Sequence, residues 1–191
     1  MMDHTIPTMG NRLSRWLGRS VLKLLRWQVV GKLPSQSKLV IVVAPHTSNW
    51  DFVIAMAAVL AHGVKLSYLM KKEAFFFPFK NLFMSLGGIP IDRAKGGGLV
   101  EQAAAQFKQQ DKLWLAITPE GTRSQVGEYK SGFLRIAQAA KVPVFIIAWH
   151  YPEKKLILDC EWPLTGDKEH DAAAIRTYIN RHYIGKHPAK Q

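Results

Sequence analysis

His46 and Asp51 stand five residues apart in Pro45-His46-Thr47-Ser48-Asn49-Trp50-Asp51. Imidazole takes up and returns protons near neutral pH. A carboxylate bonded to one of its nitrogens fixes the tautomer and leaves the other as a base. On one continuous helix this spacing would turn the two side chains about 140° apart, since each residue rotates roughly 100°. The pair can meet only across a change of backbone direction. The flanking sequence supplies one, because an apolar run at 39–44 delivers His46 and a second at 52–60 follows Asp51. A plainer reading also fits: His46 as a loop histidine, Ser48 or Asn49 as a helix cap, and Asp51 as a first-turn acid facing the helix dipole. This stretch alone leaves both open.

Two further polar clusters follow apolar runs. Ile89-Pro90-Ile91 leads into Asp92-Arg93, and the run at 113–118 leads into Pro119-Glu120-Gly121-Thr122-Arg123-Ser124. Strand ends in α/β folds collect ligand-binding groups. In the second cluster Gly permits close backbone approach, Thr and Ser offer hydroxyls, and Arg offers a planar fork suited to phosphate oxygens. Read singly, Asp92-Arg93 is a surface ion pair and the turn is bare surface. Gly96-Gly97-Gly98 lacks a following Gly-Lys-Ser/Thr and reads as a connection. His150, His170 and His182 have no metal-ligand spacing and read as structural or solvated.

The elements that must position these residues follow from periodicity. The 39–44 run is too uniformly apolar to be half exposed, which requires a sheet covered on both faces. Further strands are expected at 64–70, 89–91, 113–118 and 144–149. An early edge strand falls within 26–33, and another edge strand at 156–158. Helices are expected at 52–60, 81–86, 99–109, 133–140 and 171–183. The fold class is α/β, with a mixed, largely parallel central sheet, helices on both faces and an amphipathic helix before it. One domain of 191 residues is expected. It divides into a basic amphipathic segment at 1–32, a core at 39–165 and a last helix within 168–185. Residues 1–10 and 186–191 read as loose tails.

Lys and Arg number 26 against 14 acids, for a net charge of +12. Such a chain suits an anionic partner: nucleic acid, phospholipid or a phosphorylated substrate. No nucleic-acid motif is present, and the aromatics cluster with aliphatics, as in Phe75-Phe76-Phe77-Pro78-Phe79, which reads as core or as an apolar groove. The single Cys160 excludes an internal disulfide, fits a reducing compartment and reads as a small strand residue. Basic residues at 12, 15, 19, 23 and 26 share one helical face, while Leu13, Trp16, Leu17, Val21, Leu24 and Leu25 share another. Their charges break any signal-peptide pattern, and the segment is too short to cross a bilayer. It suits either an interfacial helix or a surface helix packed on the core.

The chain resembles the glycerolipid acyltransferases typified by 1-acylglycerol-3-phosphate acyltransferase. Four ordered blocks between residues 39 and 148 carry the likeness: His-x4-Asp at 46–51, Gly-x-x-x-Asp-Arg at 88–93, Pro-Glu-Gly-Thr-Arg-Ser at 119–124 and Val-Pro-Val at 142–144. The resemblance implies that His46 removes a proton from an acceptor hydroxyl, that Asp51 orients His46, and that the hydroxyl attacks an acyl thioester directly. It implies that Arg93, Glu120, Gly121, Thr122, Arg123 and Ser124 bind the acceptor's phosphate end, and that the fourth block shapes an acyl site. It further implies acyl-CoA or acyl-carrier protein and a lysophospholipid as co-substrates, no metal or other cofactor, and a peripheral place on the cytoplasmic face of an anionic membrane. Pro45 stands where the family often has Asn, and Phe145 or Ile146 where it often has a second Pro. These departures leave the acceptor open: a lysophospholipid other than lysophosphatidic acid, or an amino-acid-based lysolipid, fits as well. A catalytically degenerate lipid-binding module is the competing reading. A serine hydrolase lacks its Gly-x-Ser-x-Gly elbow here.

Overall fold

Val and Ile dominate the strand β2 (Lys38–Ala44), and every residue from Leu39 to Ala44 is buried. Its side chains alternate between two cores: Val40, Val42 and Ala44 face one, and Leu39, Ile41 and Val43 the other. Burying each large aliphatic contributes about 1.5–3 kcal/mol. A strand loaded on both faces is forced to the middle of its sheet.

The computed structural model describes residues 5–74, 76, 78, 80–91 and 98–191. Besides β2, the strands are β1 (Gln28–Gly31), β3 (Leu66–Lys71), β4 (Gly88–Ile91), β5 (Leu113–Ile117), β6 (Val144–His150) and β7 (Lys155–Trp162). Among the described residues, these seven form one sheet in the order β1-β7-β6-β2-β5-β3-β4. The five from β6 to β4 run parallel, while β7 is antiparallel to β6 and carries β1 parallel to itself. The strand expected at an edge from residues 156–158 is therefore interior, covered on its outer side by β1. A short polar turn to β6 sets that antiparallel pairing, and the N-terminal strand takes the edge.

Helices cover both faces. α1 (Arg12–Leu25) and α2 (Trp50–His62) pack on the face of Leu39, Ile41 and Val43. On the other face lie α4 (Leu99–Gln109), α5 (Gly132–Ala140) and α6 (Lys168–His182). A short helix, α3 (Lys80–Ser85), precedes β4. α1 meets α2 at Gly18, where an added Cβ would lie 2.4 Å from the Ala61 nitrogen, so only glycine allows this approach.

Right-handed crossovers explain the two layers. From β2 the chain travels through α2 towards β3. From β5 it travels the opposite way through α5 to β6. The neighbours β2 and β5 thus send their helices to opposite faces, which opens a crevice beyond their C-terminal ends.

Both expected tails are partly wrong. Residues 5–10 are tied down by the Thr8–Val64 bridge and by the Met9 N–H donating to the Gly63 carbonyl at 2.9 Å, and Ile6 is buried. Residues 185–191 fold back. Gln191 donates to the Tyr183 carbonyl at 2.7 Å, and the His187 N–H donates to Thr47 Oγ1 at 3.2 Å. Apart from Ile6, main-chain groups and the polar side chains of Thr47 and Gln191 supply these contacts, which hydropathy does not register. Cys160 sits half-buried in β7.

Candidate active site

β2 ends at Ala44, and the chain turns through Pro45, His46, Thr47, Ser48 and Asn49 into α2. Asp51 lies in the first turn of α2 and is completely buried. Its Oδ2 accepts the Thr47 and Ser48 N–H groups at 3.0 and 2.9 Å and lies 3.1 Å from His46 Nδ1. Its Oδ1 accepts the Tyr151 hydroxyl at 2.5 Å. A carboxylate at that depth is tolerable because donors converge on it, each charge-assisted bond contributing about 1.5–3 kcal/mol. Both sequence readings of Asp51 hold together: it is a first-turn acid at the helix N-terminus and the partner of His46. Of the two expected caps, Ser48 serves, its Oγ accepting the Trp50 N–H at 3.2 Å, whereas Asn49 makes no capping side-chain bond; Asp51 in turn ties down the preceding loop. Because an ionised carboxylate only accepts, Nδ1 carries the proton and Nε2 is the basic nitrogen.

β5 delivers the second cluster beside the first. Gly121 adopts φ +65°, the left-handed geometry that turns the chain back. His46, Thr118, Gly121, Thr122, Arg123, Ser124 and Lys190 line one open, polar pocket. Glu120 faces away from it. Its buried carboxylate accepts the His46 N–H on Oε1 at 2.9 Å and lies 3.5 Å from the Tyr129 hydroxyl. Burial pushes the Glu120 carboxyl above its ordinary value, against the lowering effect of the His46 N–H and the other hydrogen bonds. The Tyr129 phenol is pushed up by burial and by Glu120.

The structure thus brings together His46, Asp51, Gly121, Thr122, Arg123 and Ser124, with Glu120 beneath them. Arg93, with Asp92, lies outside the described residues, as do Phe75, Phe77, Phe79, Gly96 and Gly97. The Val-Pro-Val block does not reach this pocket. Val144 pairs with Val40 at the other end of the sheet, and the Val40 N–H donates to the Pro143 carbonyl at 3.0 Å. Six residues separate Val40 from His46, about 20 Å of strand.

Three residues at the site escape sequence reasoning. Tyr151 follows the last residue of β6 as His46 follows β2, but only strand order reveals that these ends are neighbours. Tyr129 reaches Glu120 from the turn before α5. Lys190 arrives from a tail with no sequence signal. Among the described residues, no group of three or more His, Cys, Asp or Glu is placed to hold a metal ion.

A family model described as Acyltransferase matches residues 26–149, which span β1 to β6 and hold every residue of the dyad and the turn. The chain belongs to the Acyltransferase family. Within it, 143 residues are 30% identical to a 1-acyl-sn-glycerol-3-phosphate acyltransferase of Pseudomonas aeruginosa, covering 72% of this chain and 54% of that protein. A Streptococcus pneumoniae protein of the same name is 28% identical over 153 residues, covering 75% and 56%. A probable one from Mycoplasma pneumoniae is 35% identical over 117 residues, covering 56% and 42%. The chain spans about half the length of these acyltransferase relatives. The crystal structure of the 1-acyl-sn-glycerophosphate (LPA) acyltransferase PlsC from Thermotoga maritima shares the fold. Its TM-score is 0.62 at 17% identity, with 92% of this chain and 81% of that one covered.

Proposed function

We propose that this acyltransferase-family chain moves a fatty acyl group from an acyl thioester to a hydroxyl of a lysophospholipid such as 1-acylglycerol-3-phosphate. One observation carries the reading: His46 has its Nδ1 held against a buried carboxylate and lines a pocket shared with Thr122, Arg123, Ser124 and Lys190. His46 Nε2 takes the hydroxyl proton as the oxygen attacks the thioester carbonyl. The tetrahedral intermediate collapses with loss of the carbon–sulfur bond, and the imidazolium returns its proton to the leaving thiolate. General-base catalysis contributes about 10²–10⁴ in rate, and positioning adds to it.

Arg123 and Lys190, with the Thr122 and Ser124 hydroxyls, hold the acceptor's phosphate, joined by Arg93. Glu120 positions the His46 main chain and leaves phosphate binding to its neighbours, since a carboxylate repels an anion. The donor is acyl-CoA or acyl-carrier protein. Residues 39–165 carry the reaction, residues 1–32 associate with lipid, and 168–185 brace the sheet.

The chain works as a peripheral protein on an anionic membrane, at its cytoplasmic face. α1 supports this: Leu13, Trp16, Leu17 and Leu24 are exposed, Trp16 by 63% and Leu24 by 82%, while Gly18 and Leu22 are buried towards α2. Trp50, Phe52 and Val53 at the start of α2 add exposed apolar surface next to the dyad. Arg12, Arg19 and Lys23 are exposed as well, each contributing about 1 kcal/mol near anionic headgroups. Among the described residues, no helix is long and apolar enough to cross a membrane.

The test is acyl transfer from acyl-CoA and from acyl-carrier protein to 1-acylglycerol-3-phosphate, other glycerol lysophospholipids and amino-acid-based lysolipids. Turnover with a phosphate-bearing acceptor is expected. Saturable lipid binding without turnover across the panel would replace this reading with the lipid-binding module.

A further inference from the structure

Asp51 is clamped on both oxygens, and the two clamps come from different parts of the fold. Oδ2 is held by the His46 loop itself. Oδ1 accepts the hydroxyl of Tyr151, 100 residues further along the chain and just beyond β6. The sheet makes this contact possible, since β6 and β2 are parallel neighbours with Ala148 opposite Ala44. Tyr151 is itself anchored on three sides. Its N–H donates to the Ile184 carbonyl at 2.9 Å and its carbonyl accepts the Lys154 N–H at 3.1 Å. Its ring stands edge-on to the buried Trp27, with centroids 4.8 Å apart at 81°.

An aspartate carboxylate rotates readily about χ2, because a terminal sp³–sp² torsion has a broad, shallow profile. Donors on one oxygen alone leave that rotation soft. A second donor on the other oxygen, fixed by a separate element, defines the carboxylate plane and with it the direction in which Oδ2 meets His46 Nδ1. Nothing in the acyltransferase reading of the four sequence blocks involves residue 151.

We infer that Tyr151 is a positioning residue, whose hydroxyl locks the Asp51 carboxylate and through it the orientation of the His46 imidazole. Burial and then the Asp51 carboxylate push the phenol pKa up, so the hydroxyl remains a donor throughout the neutral range. The inference builds on the role proposed for His46, and Tyr151 needs no contact with substrate.

Tyr151→Phe keeps the ring against Trp27 and removes only the hydroxyl. The expected result is a fall in kcat of about ten-fold, corresponding to roughly 1.4 kcal/mol of positioning, with the KM for both substrates unchanged. In an Asp51→Ala background, Tyr151→Phe should cause no further slowing, because its effect passes through Asp51. Independently of catalysis, the His46 Nδ1–H proton resonance should shift or broaden in Tyr151→Phe. Wild-type kcat with an unmoved resonance would overturn the inference, as would an equal slowing once Asp51 is gone. If wild type transfers no acyl group, the acyltransfer reading falls and the resonance alone decides the role of Tyr151.

Discussion

The main-chain N–H of His46 donates to Glu120 Oε1 at 2.9 Å, joining the loop after β2 to the turn after β5. Two sequence blocks 74 residues apart are thus one hydrogen-bonded unit. The first carries His46, the base of the proposed reaction, and the second holds its main chain while its neighbours face the pocket.

Glu120→Ala leaves the His46 N–H without its acceptor. An unsatisfied buried donor costs about 1–3 kcal/mol, and in a chain of this size each kcal/mol lowers Tm by about 2–4 °C. Calorimetry should show that loss, and kcat should fall with it. Glu120→Gln retains an acceptor oxygen and should keep kcat within a few-fold of wild type.

The pH dependence of stability follows from the raised Glu120 pKa. Between its ordinary value of 4.5 and the raised one, the folded chain binds more protons than the unfolded chain. The contribution of this group is therefore most favourable in acid and declines as pH rises through that window. Glu120→Gln removes the titration. Wild type should lose Tm relative to Glu120→Gln as pH climbs above about 4.5, and parallel Tm curves would show that Glu120 titrates as an ordinary carboxyl.

His46→Ala should lower kcat by about 10²–10⁴ while leaving Tm close to wild type, since the ring is partly open to the pocket. Asp51→Ala should be the more damaging to stability, because it strips acceptors from the buried Thr47 and Ser48 amides at once. Steady-state kinetics and thermal melts on the same preparations separate the two effects.

Arg123→Ala and Lys190→Ala should each raise the KM of a phosphate-bearing acceptor, by about ten-fold if one charge-assisted bond of roughly 1.4 kcal/mol is lost, with little change in donor KM. Arg123→Lys should restore part of the loss, since an ammonium supplies charge without the planar fork. An unchanged acceptor KM in both alanine variants would move the phosphate site elsewhere.

Membrane association should separate from folding along α1. Leu13→Ser, Trp16→Ser and Leu24→Ser remove exposed apolar groups and should lower co-sedimentation with anionic vesicles without lowering Tm. Gly18→Leu should do the reverse. It forces α1 away from α2, so Tm falls first.

Much of the fold was legible because local signals were strong. The helix at 99–109 and the strand at 39–44 announce themselves by period and by uninterrupted aliphatics. The resemblance to the acyltransferases rested on short blocks whose residue types carry chemistry. Residues 156–158 read as an edge strand because one strand's sequence does not say what lies beside it, and β1 covers their outer side. The tails read as loose from sequence because main-chain hydrogen bonds and the Thr47 and Gln191 side chains hold most of them, with only Ile6 giving an apolar signal.

Sequence by itself determined the chemical inventory: a histidine and a carboxylate across a strand-to-helix turn, a basic hydroxyl-bearing turn after another strand, and a helix with one apolar face. These depend on neighbours a few residues apart. Only tertiary structure decided which inventory members meet. Pairing β2 with β5 on one side and β6 on the other brings Glu120 under His46 and Tyr151 onto Asp51. Such contacts span 74 and 100 residues. They are set by strand order and crossover handedness, which arise when the whole sheet closes over its two cores.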